Sequence, residues 1–576
     1  MELAEREDLL AQENLQQSSG IVLPRKYKGD NFNWIVFFLV VGLSAVLCFC
    51  GLGRRTLWQD EGETAVLARR VLIDGVPGVL SRYNLVEQGL SQYDRKYRWT
   101  YHPWGQFYLT AVSFAVFGQT NFAARFPFAL CGVLTVALLF VFVWRHWQDL
   151  ATAALSSLLL ATSTAFVLHC RQCRYYGLSM LTCLAVVVVF VELMKRPCRV
   201  WWIVFGVALA AQFYTDFGTL TVILPGLAVS LWPMDARREQ LIAAAKSFGL
   251  AALLMTPGLI LHWNRLTMAC GGGHIFLQTL LVNIYYFDNW FVPLVFLLPA
   301  GVLFVWRLVK SEKRLSEQDR IIIVCVLVMG TILVGMAWPA MHSYVRYLVP
   351  SISLAKLVLA VILIRSYSML KEKVLPLLPA RIVLIAGILI LIFSNGFSLA
   401  TQYLAGENRE NYEDLDFCTK TKPAVRSEFS GLLYEITHDF VCPDRVIVNV
   451  VDDLAEAGEI VMIDYSNFVL RFYRPDLQTY DPTEFPNFQK PPDLCIKCQQ
   501  PWRIDMKNSE KDFIVYVISA PAASPGGNIP EPDEHWFATN STRIPFWIYL
   551  RRDHGERTLK LPQNAEELEA RWFRRR

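Results

Sequence analysis

The chain has 576 residues, 54% of them apolar, with a mean hydropathy of +0.32 and a formal net charge of +4. So small a charge on so long a chain does not suggest a nucleic-acid partner. A soluble protein of this length would not carry so many apolar runs of membrane-spanning length, so the fold class is a polytopic α-helical membrane protein.

The first 33 residues are polar: Glu2, Glu5, Glu7, Asp8 and Glu13 precede Arg25, Lys26 and Lys28. Acid before base, with no small-residue cleavage site after the apolar run, is not the layout of a secretory signal. The tail is expected to be cytoplasmic and the run an uncleaved first span. Apolar runs then fall at about 34–52, 122–144, 150–168, 175–194, 200–214, 217–232, 243–262, 291–309, 321–339, 346–365 and 381–400, which predicts about eleven spans. The stretch 104–118 is shorter and interrupted by polar positions, and predicts an interfacial or re-entrant helix. With the N-terminus inside, the inner loops carry Arg145, Lys195, Arg196, Arg199, Arg237, Arg238, Lys310, Lys313, Arg314, Arg320, Lys371, Lys373 and Arg381. The short outer loops carry Arg171, Arg174, Arg265 and Arg346, a bias of roughly three to one that supports this orientation. Counting 104–118 as a full span would reverse it. The loop 53–121, the Arg171–Tyr176 turn, Asp216, the loop 263–290 and the Met341–Tyr347 turn then share the outer face.

From about 405 the chain is polar and Pro-rich, with β-like runs at Arg445–Val451, Glu459–Tyr465, Asp512–Ser519 and Ile544–Leu550. Asp452–Ala457 and Ser466–Tyr473 read as short helices, and a small extracytoplasmic α/β domain fits. Of thirteen Cys, those in the apolar runs read as buried small hydrophobes. Cys418, Cys442, Cys495 and Cys498 are disulfide candidates if this segment is outside the cytoplasm. Asn540-Ser541-Thr542 matches a glycosylation acceptor.

The most informative cluster follows the first apolar run. Asp60, Glu61 and Glu63 place three carboxylates within four positions at the membrane edge. Helix-dipole capping accounts for one acid more readily than for three. A carboxylate at that boundary suits a general base or a cation site. Tyr101-His102-Pro103-Trp104 brings His102 to the same face as a substrate-binding candidate. Arg171, Arg174 and Tyr175 lie between two spans on the outer side, and Arg346 and Tyr347 precede a Pro-containing span. The arginines suit bidentate binding of a phosphate and the tyrosines the lining of a sugar pocket; snorkelling is the plain alternative for the arginines.

Asp60-Glu61 with the helix Ala65–Leu72, then His102-Pro103, Phe117-Gly118, Phe122-Ala123-Ala124-Arg125-Phe126-Pro127, Arg171–Leu178 and Arg346-Tyr347-Leu348-Val349-Pro350, resembles in order the GT-C membrane glycosyltransferases that use polyprenyl-phosphate sugars. Protein O-mannosyltransferases and lipid A aminoarabinose transferases belong to that group. The resemblance implies a transmembrane domain over 34–404 with first outer loop 53–121, and an extracytoplasmic domain over 405–576. It implies an inverting transfer from a polyprenyl-phosphate sugar to an acceptor hydroxyl on a protein, lipid or polysaccharide outside a bacterial inner membrane. It also implies Asp60 as the base with Glu61 beside it, and Arg346 on the lipid phosphate. Arg171–Ser179 lacks the acid that many relatives carry there, so Asp216 is the nearest substitute and a divalent metal stays open. The rival readings are a lipid-linked sugar transporter and a non-catalytic receptor.

Overall fold

The computed structural model describes residues 33–81, 84–85, 92–263, 276–310, 315–338, 344–374, 376–398, 425, 427–438, 443–463, 467–480, 493–497, 513–521 and 543–551. The tail 1–32, His342, Cys418, Cys442, Cys498 and the acceptor sequence Asn540–Thr542 lie outside the described residues.

The membrane body starts with α1 (Trp34–Phe49), capped by the Asn33 side chain, which accepts from Val36 N. The first loop holds the acidic helix α2 (Gln59–Asp74), a short hairpin (β1, Leu80–Ser81; β2, Asn84–Leu85) and the apolar helix α3 (Gly105–Phe117). There follow α4 (Asn121–Trp147), α5 (Leu150–Ala161), α6 (Thr164–Cys170), α7 (Tyr176–Lys195), α8 (Arg199–Thr215), α9 (Phe217–Ser230) and α10 (Arg238–Leu261). Then come α11 (Phe276–Trp290), α12 (Leu294–Lys310), α13 (Glu317–Gly335), α14 (Ile352–Lys373) and α15 (Leu377–Phe393). Among the described residues five helices are long and apolar enough to cross a bilayer, and seven spans result if each bent helix pair counts as one.

One of the apolar runs is broken where a continuous helix was expected, and a helix occupies part of an expected loop. Within 150–168 the chain bends by 62° between α5 and α6. There the Leu158 carbonyl accepts from both the backbone N–H and the hydroxyl (2.8 Å) of Thr162, which closes α5 before Ser163 turns extended. Ahead of 291–309, part of the expected outer loop is the helix α11, bent by 100° against α12. Pro293 has no N–H to continue the helix, and the Asp288 carboxylate takes the next one, from Leu294 at 2.6 Å. The run 346–365 opens with two 3-10 turns, Val345–Tyr347 and Val349–Ser351, before α14 begins.

Beyond α16 (Glu428–Thr437), the segment Arg445–Val451 is a helix rather than a strand, α17 (Pro443–Leu454). Ile447, Val448, Val451 and Leu454 are buried, which is a helical period hidden in a β-branched run. Next are β3 (Ile460–Ile463), α18 (Asn467–Tyr473), β4 (Gln478–Tyr480), β5 (Leu494–Lys497), β6 (Phe513–Pro521) and β7 (Arg543–Arg551). They form one sheet of order β4-β3-β5-β7-β6, parallel at β3–β4 and β3–β5 and antiparallel at β5–β7 and β6–β7.

The membrane helices share one large apolar core. A second, smaller core surrounds the acidic helix. Ala65, Val66, Leu67 and Ala68 of α2 pack with Phe107 and Phe114 of α3, Phe128 of α4, Cys173, and Phe468 and Phe472 of α18. The helix that carries the three acids is therefore held between membrane body and C-terminal segment.

Candidate active site

The start of α2 is fixed by Glu61, whose carboxylate accepts from Trp58 N at 3.3 Å, as in a capping box. Glu61 is fully buried and does more than cap. It takes a two-pronged ion pair from Arg125 of α4, with Nε 2.7 Å from Oε1 and Nη2 2.5 Å from Oε2. It also accepts from Cys173 N in the Arg171–Tyr176 turn at 2.7 Å. Arg125 spends its remaining donors on the carbonyls of Leu52, Arg55 and Thr56. One acid thus ties together the first loop, α4 and that turn.

The C-terminal segment holds the same helix from its other side. Gln59 and Asn467 bond at 2.6 Å, and Phe468 N donates back to Gln59 at 3.2 Å. The Tyr473 hydroxyl accepts from Leu57 N at 2.9 Å and donates to Asn121. Arg69 donates to the carbonyls of Arg471 and Phe472. Gly62 is required by this docking, since a Cβ there would lie 2.9 Å from the Phe468 carbonyl carbon.

With the helix clamped, the other two acids point at cations. Asp60, about a quarter exposed, has its Oδ2 3.4 Å from Arg174 Nη2 and 3.7 Å from Arg346 Nη1. Arg346 lies over the ring of Tyr344 at 4.3 Å and against that of Tyr347 at 5.6 Å. Glu63 Oε1 is 2.7 Å from Arg174 Nη1 and 3.4 Å from His102 Nδ1. Burial opposes the charge on Arg174, but Asp60 and Glu63 outweigh it and raise its pKa further. His102 is sandwiched among Trp99, Tyr101 and Tyr175, with ring centres 6.1, 4.6 and 6.0 Å away. Its loop is pinned by His262 at the end of α10, whose Nδ1 is 2.8 Å from the Thr100 carbonyl oxygen. Among the described residues two buried nitrogens beside this cluster, Arg174 Nε and Gln106 Nε2, have no hydrogen-bond partner.

Asp60, His102, Arg174, Tyr175, Arg346 and Tyr347 therefore meet in one place. Arg171 does not join them: its Nη1 serves the carbonyls of Leu47, Cys48 and Cys50 at the end of α1. Asp216 caps α9, accepting from Thr219 N at 3.1 Å and from the hydroxyls of Thr219 and Ser179. Among the described residues no three His, Cys, Asp or Glu side chains are placed to hold a metal ion. The residue that composition alone left without a role is Arg125. The signal was present, because a cation inside the 122–144 run has to find an acid.

The Glu63–His102 pair sets an acid response. Burial works against ionised Glu63, but Arg174 and His102 bring its pKa down to about 2. Burial lowers the pKa of His102, Arg174 adds to that, and Glu63 pulls the other way. At neutral pH Glu63 is charged and His102 neutral. Both hold protons less readily in the folded state, so each contributes stability that is lost on acidification. The His102 part fades as the pH falls below the ordinary imidazole value of about 6.5, and the Glu63 part between about 4.3 and its folded value. The unfolding temperature is expected to drop in two stages on acidification, with His102→Gln removing the first. A single stage, identical in wild type and variant, would refute the pair's role.

Residues 101–263 match the family model for dolichyl-phosphate-mannose-protein mannosyltransferases. The undecaprenyl phosphate-α-4-amino-4-deoxy-L-arabinose arabinosyl transferase 2 of Pseudomonas fluorescens is 26% identical over 229 residues, covering 38% of this chain and 39% of that protein. Transferase 1 of Sodalis glossinidius is 24% identical over 323 residues, covering 50% and 52%. The chain thus spans about half or less of the relatives it matches. Apo ArnT from Cupriavidus metallidurans superposes with a TM-score of 0.52 at 15% identity, over 89% of this chain and 97% of that one, which shows a common fold. Family match, relatives and fold agree on one class, the GT-C superfamily of membrane glycosyltransferases. That is the class the order of motifs resembles.

Proposed function

We propose that the protein transfers a sugar from a polyprenyl-phosphate donor to an acceptor hydroxyl on the outer face of a bacterial inner membrane, with inversion. The observation that carries this reading is Asp60, a partly exposed carboxylate set between Arg174 and Arg346. In the proposed step the Asp60 carboxylate removes the acceptor's hydroxyl proton. The oxygen attacks the anomeric carbon, and the bond from that carbon to the phosphate oxygen breaks. The electron pair leaves with polyprenyl phosphate, and Asp60 later returns its proton to water. Arg346 and Arg174 exchange part of their contact with Asp60 for the phosphate and neutralise the charge that grows on it. Glu61 holds the helix in place, and Arg171 and Asp216 support the scaffold. His102, Tyr175 and Tyr347 border the sugar, whose hydroxyls engage the nitrogens of Arg174 and Gln106 that have no partner among the described residues. The reading includes about eleven spans with the N-terminus inside, and the C-terminal sheet on the acceptor side.

The test is single-turnover transfer of label from a radiolabelled polyprenyl-phosphate sugar, using purified full chain and a membrane and cell-wall extract. Arg346→Ala is expected to raise the apparent KM for the donor roughly 10- to 100-fold, the loss of a charged hydrogen bond of about 1.5–3 kcal/mol. Unchanged donor kinetics would remove Arg346 from the phosphate. Absence of transfer from any of several donors, with donor binding intact, would favour a transporter.

A further inference from the structure

Lys356 is a charged side chain for which the transfer reaction has no use. It stands on α14, one helical turn past Ile352, within the membrane-length segment Val349–Glu372. Its ammonium donates to the carbonyls of Phe291 at 2.8 Å and Trp290 at 3.3 Å, at the sharp bend between α11 and α12. Those neutral acceptors supply hydrogen bonds and the negative end of a helix dipole, but they do not cancel a full charge. Among the described residues Lys356 forms no ion pair. An ionisable group at this depth calls for a partner.

Lys356 lines a cavity that opens to solvent between the α5–α6 bend, the α11–α12 bend and the end of α15. Thr162, Ser163 and Thr164 on one side and Ser394 and Asn395 on another supply hydroxyl and amide groups, with Leu359 and Leu391 apolar beside them. Glu428 of α16 also borders it. By the loop-charge orientation, the two bends and the end of α15 lie at the outer ends of their spans, and Lys356 stands about two turns into Val349–Glu372. A lysine amine, neutral polar groups and an apolar flank, set between helices inside the outer membrane edge, match a phosphate group carrying a hydrocarbon chain. Glu428 suits a cationic or hydroxylated substituent beyond the phosphate.

We infer that this cavity is a second lipid site, distinct from the Asp60–Arg346 centre, which binds the phosphate of an outer-leaflet lipid with Lys356 as its counter-ion. Either a bulk phospholipid or a polyprenyl phosphate carries that group. The test is native mass spectrometry of the detergent-purified full chain, incubated with phosphatidylethanolamine micelles or with a polyprenyl monophosphate. Beyond any polyprenyl phosphate held at Arg346, wild type is expected to retain one lipid under washing that lowers the occupancy of this extra lipid at least tenfold in Lys356→Met. Ser163→Leu, which fills the cavity and leaves Lys356 in place, is expected to lose it too, and it covers the case in which Lys356→Met does not fold. Arg346→Ala is expected to retain it. Retention of the phospholipid alone identifies bilayer lipid as the occupant, and of polyprenyl phosphate alone, the spent carrier. Equal retention in wild type and both cavity variants overturns the site, as does no retention in wild type or loss in Arg346→Ala alone.

Discussion

Asp60→Asn is expected to slow sugar transfer by about 10²–10⁴-fold, the range of a lost general base, while the protein still folds. The substitution keeps shape and removes only the group that takes the acceptor's proton. Asp60 is about a quarter exposed and its two cationic neighbours stand at 3.4 and 3.7 Å, so no tight buried pair is broken. The fold of α2 rests instead on Glu61, Gln59 and Gly62. The single-turnover assay distinguishes this from a binding defect: donor should still bind, and label should stay on the lipid. A variant that turns over like wild type would end Asp60's role as base.

The second large effect is expected from the Glu61–Arg125 pair. Glu61→Gln or Arg125→Met leaves one charge buried without its partner, which costs about 3–5 kcal/mol in comparable buried pairs. Here the loss is compounded, because Cys173 N and the carbonyls of Leu52, Arg55 and Thr56 depend on the same two side chains. Either variant should unfold at a markedly lower temperature in detergent. Replacing both residues by leucine should recover much of that stability, since no lone charge remains, but should not recover activity, since Asp60 is no longer held. A double variant as unstable as the two single losses added together would show that the pair is not a unit. The two predictions separate the neighbouring acids: Asp60 is lost as chemistry and Glu61 as structure.

Much of this site was legible in the residues. Three carboxylates beside the first apolar run, an aromatic stretch containing His102, and arginines at 174 and 346 could only be exposed to one solvent phase, and the loop-charge bias put them on one face. The helix that follows the three acids and the helix Gly105–Phe117 followed from short, interrupted apolar patterns. The strand expected at Arg445–Val451 did not, because valine and isoleucine fill both a strand and a helix face, and only packing decides between them. The break at Thr162 was hidden for a related reason: hydropathy measures the cost of water in lipid, and a bend whose polar groups are satisfied locally does not change that cost.

What the sequence by itself determined is the class of molecule and the set of groups available for chemistry, since burial of apolar length and exclusion of charge from lipid depend on composition along the chain. Only the tertiary structure decided which acid does what. Glu61 turns to Arg125, Asp60 to Arg174 and Arg346, and Glu63 to Arg174 and His102, although the three are adjacent in the chain. Arg171 and Arg174 likewise part, one to the carbonyls of α1 and the other to the acids. These choices come from the angles at which side chains leave a helix and from partners 39 to 286 residues away, and no local pattern records them.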